Sequence, residues 1–181
     1  MSSISTFDIL DFWWSAGLKK WFGSDEAFDA EIRERFGAAI DAALAGEFDD
    51  WAETPHGALA LLLLLDQFTR NARRGSAEAF AGDAKALAVA ARAVDAGFDR
   101  AYPKPMRMFF YLPFEHSEDL ADQERSVDLF RRLGDPEGYL YALIHLDAIR
   151  RFGRFPHRNV LLGRETTAAE QAYLDDGGFK G

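Results

Sequence analysis

One stretch of the chain, from Arg150 to Glu165, concentrates the side chains best suited to binding an anion. It holds five arginines and one histidine, together with Asn159. A guanidinium group is planar and presents paired N–H donors that match a carboxylate or a phosphate. Gly153 and Pro156 interrupt the helical pattern of the preceding residues, so these donors are expected on a loop. The spacing therefore predicts a site for a small anion.

The same arginines have acidic partners elsewhere in the chain, and these leave a second interpretation open. Asp147 stands four residues before Arg151, which is the spacing of an ion pair on a helix. Other carboxylates that could pair with arginines are Asp66, Glu115, Glu118 and Glu165. Because partly buried arginines are usually paired, an internal ion-pair network that fixes the loop is the alternative to a ligand pocket.

Histidines and carboxylates together also allow acid–base or metal chemistry. The candidate histidines are His116, His145 and His157, and the carboxylates that could orient one are Asp66, Glu115 and Asp147. No Gly-x-Ser-x-Gly turn supplies a nucleophile, and His145 falls on an apolar helix face, where a core histidine is expected. The potential metal ligands match no known zinc or calcium spacing. Capping of the following helix is therefore the expected role of His116 and Glu118.

The overall charge makes nucleic acid and anionic membranes poor partners. The chain has 30 acidic and 21 basic residues, a net charge of −9 and a pI near 4.9, which opposes binding to phosphate backbones. It has no cysteine, and this excludes disulfides and thiolate chemistry. Its N-terminus lacks the pattern of a secretory signal, and the longest apolar run, Ala58–Leu65, is far shorter than the roughly 20 residues of a membrane helix. We expect a cytoplasmic protein.

The elements that must position these side chains are all predicted to be helices. Apolar residues recur at helical spacing throughout, and no stretch alternates with a period of two. About eight helices in one domain, residues 1–181, are expected. Helix starts are predicted at Ser24, at Thr54 with Pro55, at Asp135 with Pro136, and at a capping box of Thr167 and Glu170. The most apolar helix, Pro55–Asn71, is predicted to be central, with polar pairs of Asp66 with Arg70 and Gln67 with Asn71 at its end. An aromatic first helix, 6–14, should dock on the body or on a second subunit.

Three blocks of the sequence resemble the signatures of a known family. They are LDQFTRN at 65–71, PFEHSE at 113–118 and RFGRFPHRN at 151–159. The chain resembles a bacterial family of unknown function assigned to the tetratricopeptide-like helical superfamily. This resemblance implies an antiparallel α–α superhelical bundle and brings no known activity, cofactor or catalytic residue. The chain departs from the expected pattern at Thr69, where proline is expected, and at Ala169, where glutamate is expected.

These features predict a binding protein with a polar pocket for a small anionic ligand or a peptide, and with no cofactor and no metal. The residues expected to line the pocket are Asp66, Arg70, His116, Glu118, Arg154, His157, Arg158 and Asn159. The alternative is a hydrolase-type enzyme that uses histidine and carboxylate acid–base or metal chemistry in the same pocket. A homodimer through the N-terminal aromatic residues is a further expectation.

Overall fold

The structure is a computed structural model, and it describes residues 4–181. No β-strand occurs among these residues, so the all-α prediction is confirmed. The chain divides into two compact units, with the division between Tyr102 and Pro103. The single-domain and tetratricopeptide-like expectations stay predictions. No helix within residues 4–181 is both long enough and apolar enough to cross a bilayer.

Six α-helices are described in the first unit. They are α1 (Thr6–Ala16), α2 (Leu18–Trp21), α3 (Glu26–Ala45), α4 (Pro55–Leu62), α5 (Thr69–Ala72) and α6 (Asp83–Asp95). Short 3-10 turns lie between them at Asp49–Glu53, Ala77–Phe80 and Phe98–Ala101. The cap of α3 differs from the expectation, because Asp25 rather than Ser24 accepts hydrogen bonds from the amides at the helix start. Thr54 and Pro55 start α4 as the sequence predicts.

α1 packs one face into an aromatic cluster. Ile9 and Trp13 are fully buried, and the Trp13 ring stacks on Trp21 at 6.0 Å and on Phe28 at 6.1 Å. The Trp21 indole N–H donates to the carbonyl of Trp13 at 2.6 Å, which fixes α2 against α1. The prediction that the first helix docks on the body is confirmed.

The central helix runs from Pro55 to Ala72 and contains a π-helical segment, Leu63–Phe68, between α4 and α5. Both the amide and the hydroxyl of Thr69 donate to the carbonyl of Leu64, five residues earlier, and the hydroxyl does so at 2.7 Å. A π-helical turn holds more residues than an α-helical turn, which changes the angles between the side chains that follow it.

The polar side chains at the end of the central helix follow only half of the predicted pairing. Arg70 pairs with Asp66 at 3.1 Å, as expected, and also with Asp83 at 2.7 Å. The pairing of Gln67 with Asn71 is wrong, because Gln67 donates to Asp66 at 2.5 Å and Asn71 donates to a carboxylate of α3 at 2.7 Å. Carboxylates take both amides, so the two side chains do not pair with each other.

Five α-helices are described in the second unit. They are α7 (Lys104–Arg107), α8 (Leu112–Glu115), α9 (Leu120–Leu133), α10 (Pro136–Phe152) and α11 (Ala168–Asp175). α9 and α10 pack against each other across the short turn at Gly134 and Asp135. Gly138 makes this packing close, because a Cβ there would lie only 2.7 Å from the Phe130 ring. Phe155 and Tyr173 join α10 and α11 in one apolar cluster.

Candidate functional site

The segment from Gly153 to Arg164, called the arginine loop, carries half of the predicted site residues. Gly153 has a left-handed backbone with φ of 67° and ends α10. A 3-10 turn, Pro156–Arg158, follows, and the loop then folds back so that the Arg164 amide donates to the Asn159 carbonyl at 2.8 Å. The loop is therefore a compact turn whose side chains lie close together.

Glu118 is the carboxylate that holds the arginine loop in place. It accepts hydrogen bonds from Arg164 Nη1 and Nη2 at 2.7 and 3.0 Å, and from the Phe155 amide at 2.8 Å. Burial acts to raise the pKa of Glu118, but the hydrogen bonds and charges of Arg164 and its neighbours outweigh burial and lower it. The expected capping role of Glu118 is wrong, because Asp119 is the N-cap of α9. Glu118 instead joins two loops.

Arg154 is paired with an acid that the sequence marked only as part of a helix cap. Its Nε and Nη2 donate to Glu170 at 2.6 and 2.9 Å, and Nη2 also donates to the Glu165 carbonyl at 2.9 Å. Glu170 also accepts from the Thr167 amide at 2.7 Å, which confirms the predicted capping box of α11. The hydrogen bond from Arg154 is the main cause that lowers the pKa of Glu170 to about 2.

His145, on α10, is a buried and neutral histidine that is only 5% exposed. Its Nδ1 lies 2.8 Å from the carbonyl oxygen of Tyr141, and because a carbonyl can only accept, Nδ1 carries the proton. Burial is the main cause that lowers the pKa of His145 to about 3, and positive charge on its neighbours lowers it further. The ring is therefore uncharged at neutral pH, with Nε2 as a hydrogen-bond acceptor.

Three predicted site residues surround His145, and we call the group the histidine cluster: His116, His145, His157 and Arg158. The His116 ring lies 6.4 Å from the His145 ring, and charges on His116, His157 and Arg158 all act on His145. Glu115 Oε1 lies 3.5 Å from His145 Nδ1. Arg158 is buried, with its guanidinium 4.6 Å from the centre of the Phe155 ring, while His116 and His157 are partly exposed. The structure thus brings together residues from two of the three sequence blocks.

The segment after α11 covers part of the histidine cluster. The Phe179 ring lies 4.0 Å from His145 and 5.1 Å from His157, measured between ring centroids. The Phe179 amide donates to the Tyr173 hydroxyl at 3.0 Å, which holds the segment against α11. Sequence reasoning missed Phe179, since a single apolar residue after two glycines gives no signal of its own.

Two buried amide side chains support the site. Gln123 donates to the carbonyls of Glu115 and Ser117 at 2.6 and 2.7 Å, which fixes the end of α8 beside His116. Asn159 is fully buried and its amide nitrogen contacts Thr166 Oγ1 at 3.4 Å. Gln123 was also missed, because a glutamine within a charged helix is indistinguishable by sequence from a surface residue.

The remaining two predicted site residues, Asp66 and Arg70, belong to the first unit. There Arg70 joins Asp66 to Asp83, as described above, and its guanidinium lies 5.6 Å from the centre of the Phe80 ring. Burial by itself would lower the pKa of this arginine, but the negative charges of Asp66 and Asp83 outweigh burial and raise the pKa. These contacts fix the end of the central helix.

Two surface clefts are lined by residues outside the histidine cluster. One, of about 370 Å³, lies in the first unit and includes Arg73 and Arg74, which already pair with Asp41 and Asp29. The other, of about 490 Å³, lies along α11 beside Arg151. Within the described residues, no three His, Asp or Glu side chains converge as a metal site would require. Neither cleft is lined by any of the eight predicted site residues.

Comparisons with known proteins agree on a family. A family model described as "Bacterial protein of unknown function (DUF924)" matches residues 9–178. A solved structure of a protein of unknown function from Agrobacterium tumefaciens is similar to this chain, with 48% sequence identity and a TM-score of 0.92 over 95% of this chain and 97% of that one. No curated protein matches the chain. The chain therefore belongs to the DUF924 family of bacterial proteins.

Proposed function

We propose that this chain binds a small anionic ligand at the histidine cluster. The observation that carries the proposal is geometric: His116 lies beside His145, and His145, His157 and Arg158 all contact the Phe155 ring. These side chains offer N–H donors and positive charge in a partly buried place, where the interaction with an anion is less screened by water than at the surface. A carboxylate or a phosphate group is the chemistry that such donors recognise.

Two other predicted site residues support the ligand site in this proposal without touching the ligand. Arg154 and Glu118 are each held by an oppositely charged partner, through Glu170 and Arg164 respectively. Their hydrogen bonds fix both ends of the arginine loop, which presents His157 and Arg158. Preorganised donors bind more tightly because less side-chain freedom is lost on binding.

The binding experiment uses inorganic phosphate and succinate as probes, each titrated into the full chain while histidine side-chain NMR signals are followed. We expect saturable shifts of the His116 and His157 signals with at least one probe. Arg158→Gln should weaken this binding about tenfold, because it removes a charge-assisted donor. Phe179→Ala should strengthen it, because the ring covers His145 and His157.

The matched control is Arg150→Gln, which removes an exposed arginine whose partner is Glu124, 3.1 Å away. It lowers the positive charge of the protein by the same amount as Arg158→Gln and should leave binding unchanged. Equal weakening by both variants would mean that only overall charge matters and would overturn the site. Absence of saturable shifts in both the wild type and Phe179→Ala would overturn the proposal as well.

A second candidate function is acid–base catalysis, which the pair of Glu115 and His145 favours. The carboxylate lies 3.5 Å from His145 Nδ1, as in sites where an acid orients a catalytic histidine. The pKa of His145 near 3 opposes this function, since a general base works best when its pKa is close to the working pH. The test is hydrolysis of ester or phosphomonoester probes by the wild type and by His145→Gln. Hydrolysis that this variant abolishes without unfolding would favour the enzyme over the binding protein.

The proposal also includes the finer expectations about the fold and the location. A tetratricopeptide-like arrangement is supported by helix pairs such as α9 and α10, which pack across a short turn. A cytoplasmic location is part of the same proposal. Cell fractionation with an antibody against the chain tests the location directly.

A further inference from the structure

The residues that follow α11, Gly177 to Gly181, fold back over the histidine cluster, and we call them the strap. Gly177 has a left-handed backbone with φ of 84°, which glycine adopts without strain where the chain turns. A Cβ at Gly178 would lie 2.5 Å from the carbonyl oxygen of Tyr173, so a larger residue would not fit there without a shift. These two glycines allow the chain to return toward His145.

Phe179 is the residue of the strap that reaches the histidine cluster. Its ring centroid lies 4.0 Å from that of His145, 5.1 Å from that of His157 and 6.2 Å from that of Phe155. Aromatic pairs prefer separations of about 4.5 to 7 Å, so these are favourable ring contacts. Gly181 follows onto the His157 ring, where a Cβ would lie 3.2 Å from Cδ2. The three rings of the second unit thus surround a place that holds one further aromatic ring.

The strap is joined to α11 by a small number of backbone donors. The Gly178 amide donates to the Tyr173 carbonyl at 2.9 Å, and the Phe179 amide donates to the Tyr173 hydroxyl at 3.0 Å. Three of the five residues of the strap are glycines, and ordering glycine costs more backbone entropy than ordering other residues. Lys180 is exposed, whereas Phe179 is half-buried. Burial of the Phe179 ring therefore stabilises the closed strap, and a competing ring would release it.

Basic side chains lie next to the place that the Phe179 ring occupies. Arg158 is buried, with its guanidinium 4.6 Å from the centre of the Phe155 ring. His116 is half-buried and its ring lies 6.4 Å from that of His145. Positive charge thus lies beside an aromatic place, and a molecule that carries a ring next to a negative charge would match both.

We propose that the ligand of the histidine cluster is an aromatic carboxylate whose ring takes the place of Phe179. This inference rests on the proposed anion site and adds the class of ligand. Exchange of one ring for another preserves the apolar burial and the ring contact with His145, so the contacts of the carboxylate with Arg158 and His157 favour binding. A carboxylate without a ring either binds beside Phe179 or leaves the place of the ring unfilled, which loses dispersion contacts. Because the strap belongs to the same chain, its ring competes at a high effective concentration.

The test titrates phenylpropionate, propionate and phenylpropanol into the full chain and follows aromatic NMR signals. Phenylpropionate should bind at least about tenfold more tightly than propionate, which lacks the ring, and than the alcohol, which lacks the charge. At saturation with phenylpropionate, the nuclear Overhauser contact between the rings of Phe179 and His145 should disappear. A contact between the ring of the probe and His145 should replace it.

Phe179→Ala removes the competing ring of the strap. It should strengthen the binding of phenylpropionate about tenfold, and that of propionate by less. The matched control is Phe22→Ala, which truncates a phenylalanine of the first unit that is 56% exposed. This control should leave both affinities unchanged, and circular dichroism should show that both variants fold.

Equal affinities for phenylpropionate and propionate, in the wild type and in Phe179→Ala, would overturn the aromatic class of ligand. The anion site would then stand if phosphate or succinate still bound. An alcohol that binds as tightly as the acid would overturn the inference, since the ring alone would be recognised. A contact between Phe179 and His145 that persists at saturation would place the probe elsewhere and overturn it equally. Failure of every anion to bind either protein would overturn the anion site and this inference with it.

Discussion

The arginine loop and the histidine cluster, which share His157 and Arg158, accommodate basic side chains of the second unit in different ways. In the loop, Arg154 and Arg164 keep their charges and each is matched by a carboxylate, Glu170 or Glu118, through two hydrogen bonds. In the cluster, burial removes the charge from His145 altogether. A run of basic residues in a sequence therefore does not by itself predict a basic surface. Each side chain can be paired with an acid, uncharged through burial, or exposed to solvent with its charge.

The largest effect should come from removing the carboxylate that locks the loop. Glu118→Ala eliminates three hydrogen bonds and leaves the Arg164 guanidinium, which is about three-quarters buried, without its acid. We expect a loss of about 3 kcal/mol in the free energy of unfolding. Urea denaturation monitored by circular dichroism measures it. A loss below about 1 kcal/mol would mean that the loop does not depend on this pair.

The histidine cluster should make the free energy of unfolding depend on pH. The folded pKa of His145, about 3, lies below the ordinary value of 6.5, so between these values the unfolded chain binds a proton that the folded chain does not. Stability is therefore lost as the pH falls from 6.5 toward 3, by about 1 kcal/mol per pH unit.

His145→Gln keeps a neutral polar side chain at this position and should remove that dependence. Urea denaturation at several pH values between 7 and 4, for the wild type and the variant, isolates the contribution of His145. The groups that face His145 are Glu115, His116, His157 and Arg158, and all remain in the variant. Identical pH profiles of the two proteins would contradict the neutral, buried state of His145.

A smaller effect on stability is expected when a bidentate arginine–carboxylate contact is replaced by a single hydrogen bond. Arg154→Lys retains the charge opposite Glu170 but loses the paired donors that now lie at 2.6 and 2.9 Å. We expect a loss in the free energy of unfolding that is smaller than that of Glu118→Ala. The pKa of Glu170 should also rise from its value near 2, which NMR titration of its carboxyl carbon would measure. An unchanged pKa would show that the paired donors of Arg154 do not set it.

The smallest effect should follow from breaking an exposed pair on the same stretch of sequence. Arg150 and Glu124 lie 3.1 Å apart, with more than half of each side chain exposed. Glu124→Gln should change the free energy of unfolding by less than about 0.5 kcal/mol, because water screens the pair. Its comparison with Glu118→Ala in the same denaturation series shows whether burial, and not the mere presence of a salt bridge, determines stability.

Most of the secondary structure followed from the sequence, because its signals are local. The cap and proline at Thr54 and Pro55 start α4, and Asp135 with Pro136 starts α10, as expected. The capping box of Thr167 and Glu170 starts α11. Each of these signals depends on residues within one turn of the helix, so no tertiary information is needed to recognise them.

The partners of the charged residues followed only in part. The pair of Asp147 and Arg151 was predictable from its spacing and lies at 3.5 Å on an exposed face. The pair of Glu118 and Arg164 joins residues 46 positions apart, and no spacing rule reaches across such a distance. Gln67 and Asn71 were wrongly paired, because the Asn71 amide donates to Asp29, 42 positions away, and no spacing rule reveals that partner.

The sequence by itself determined an all-helical protein and the stretch in which its densest chemistry lies, since composition, periodicity and helix caps are properties of neighbouring residues. Tertiary structure alone decided which arginines are paired, that His145 is neutral, and that Phe179 covers it. These properties depend on burial and on contacts between distant segments, which bring His116 and His157 to one buried histidine of α10. The sequence gives the titratable groups, but their protonation states depend on the environment that the fold sets.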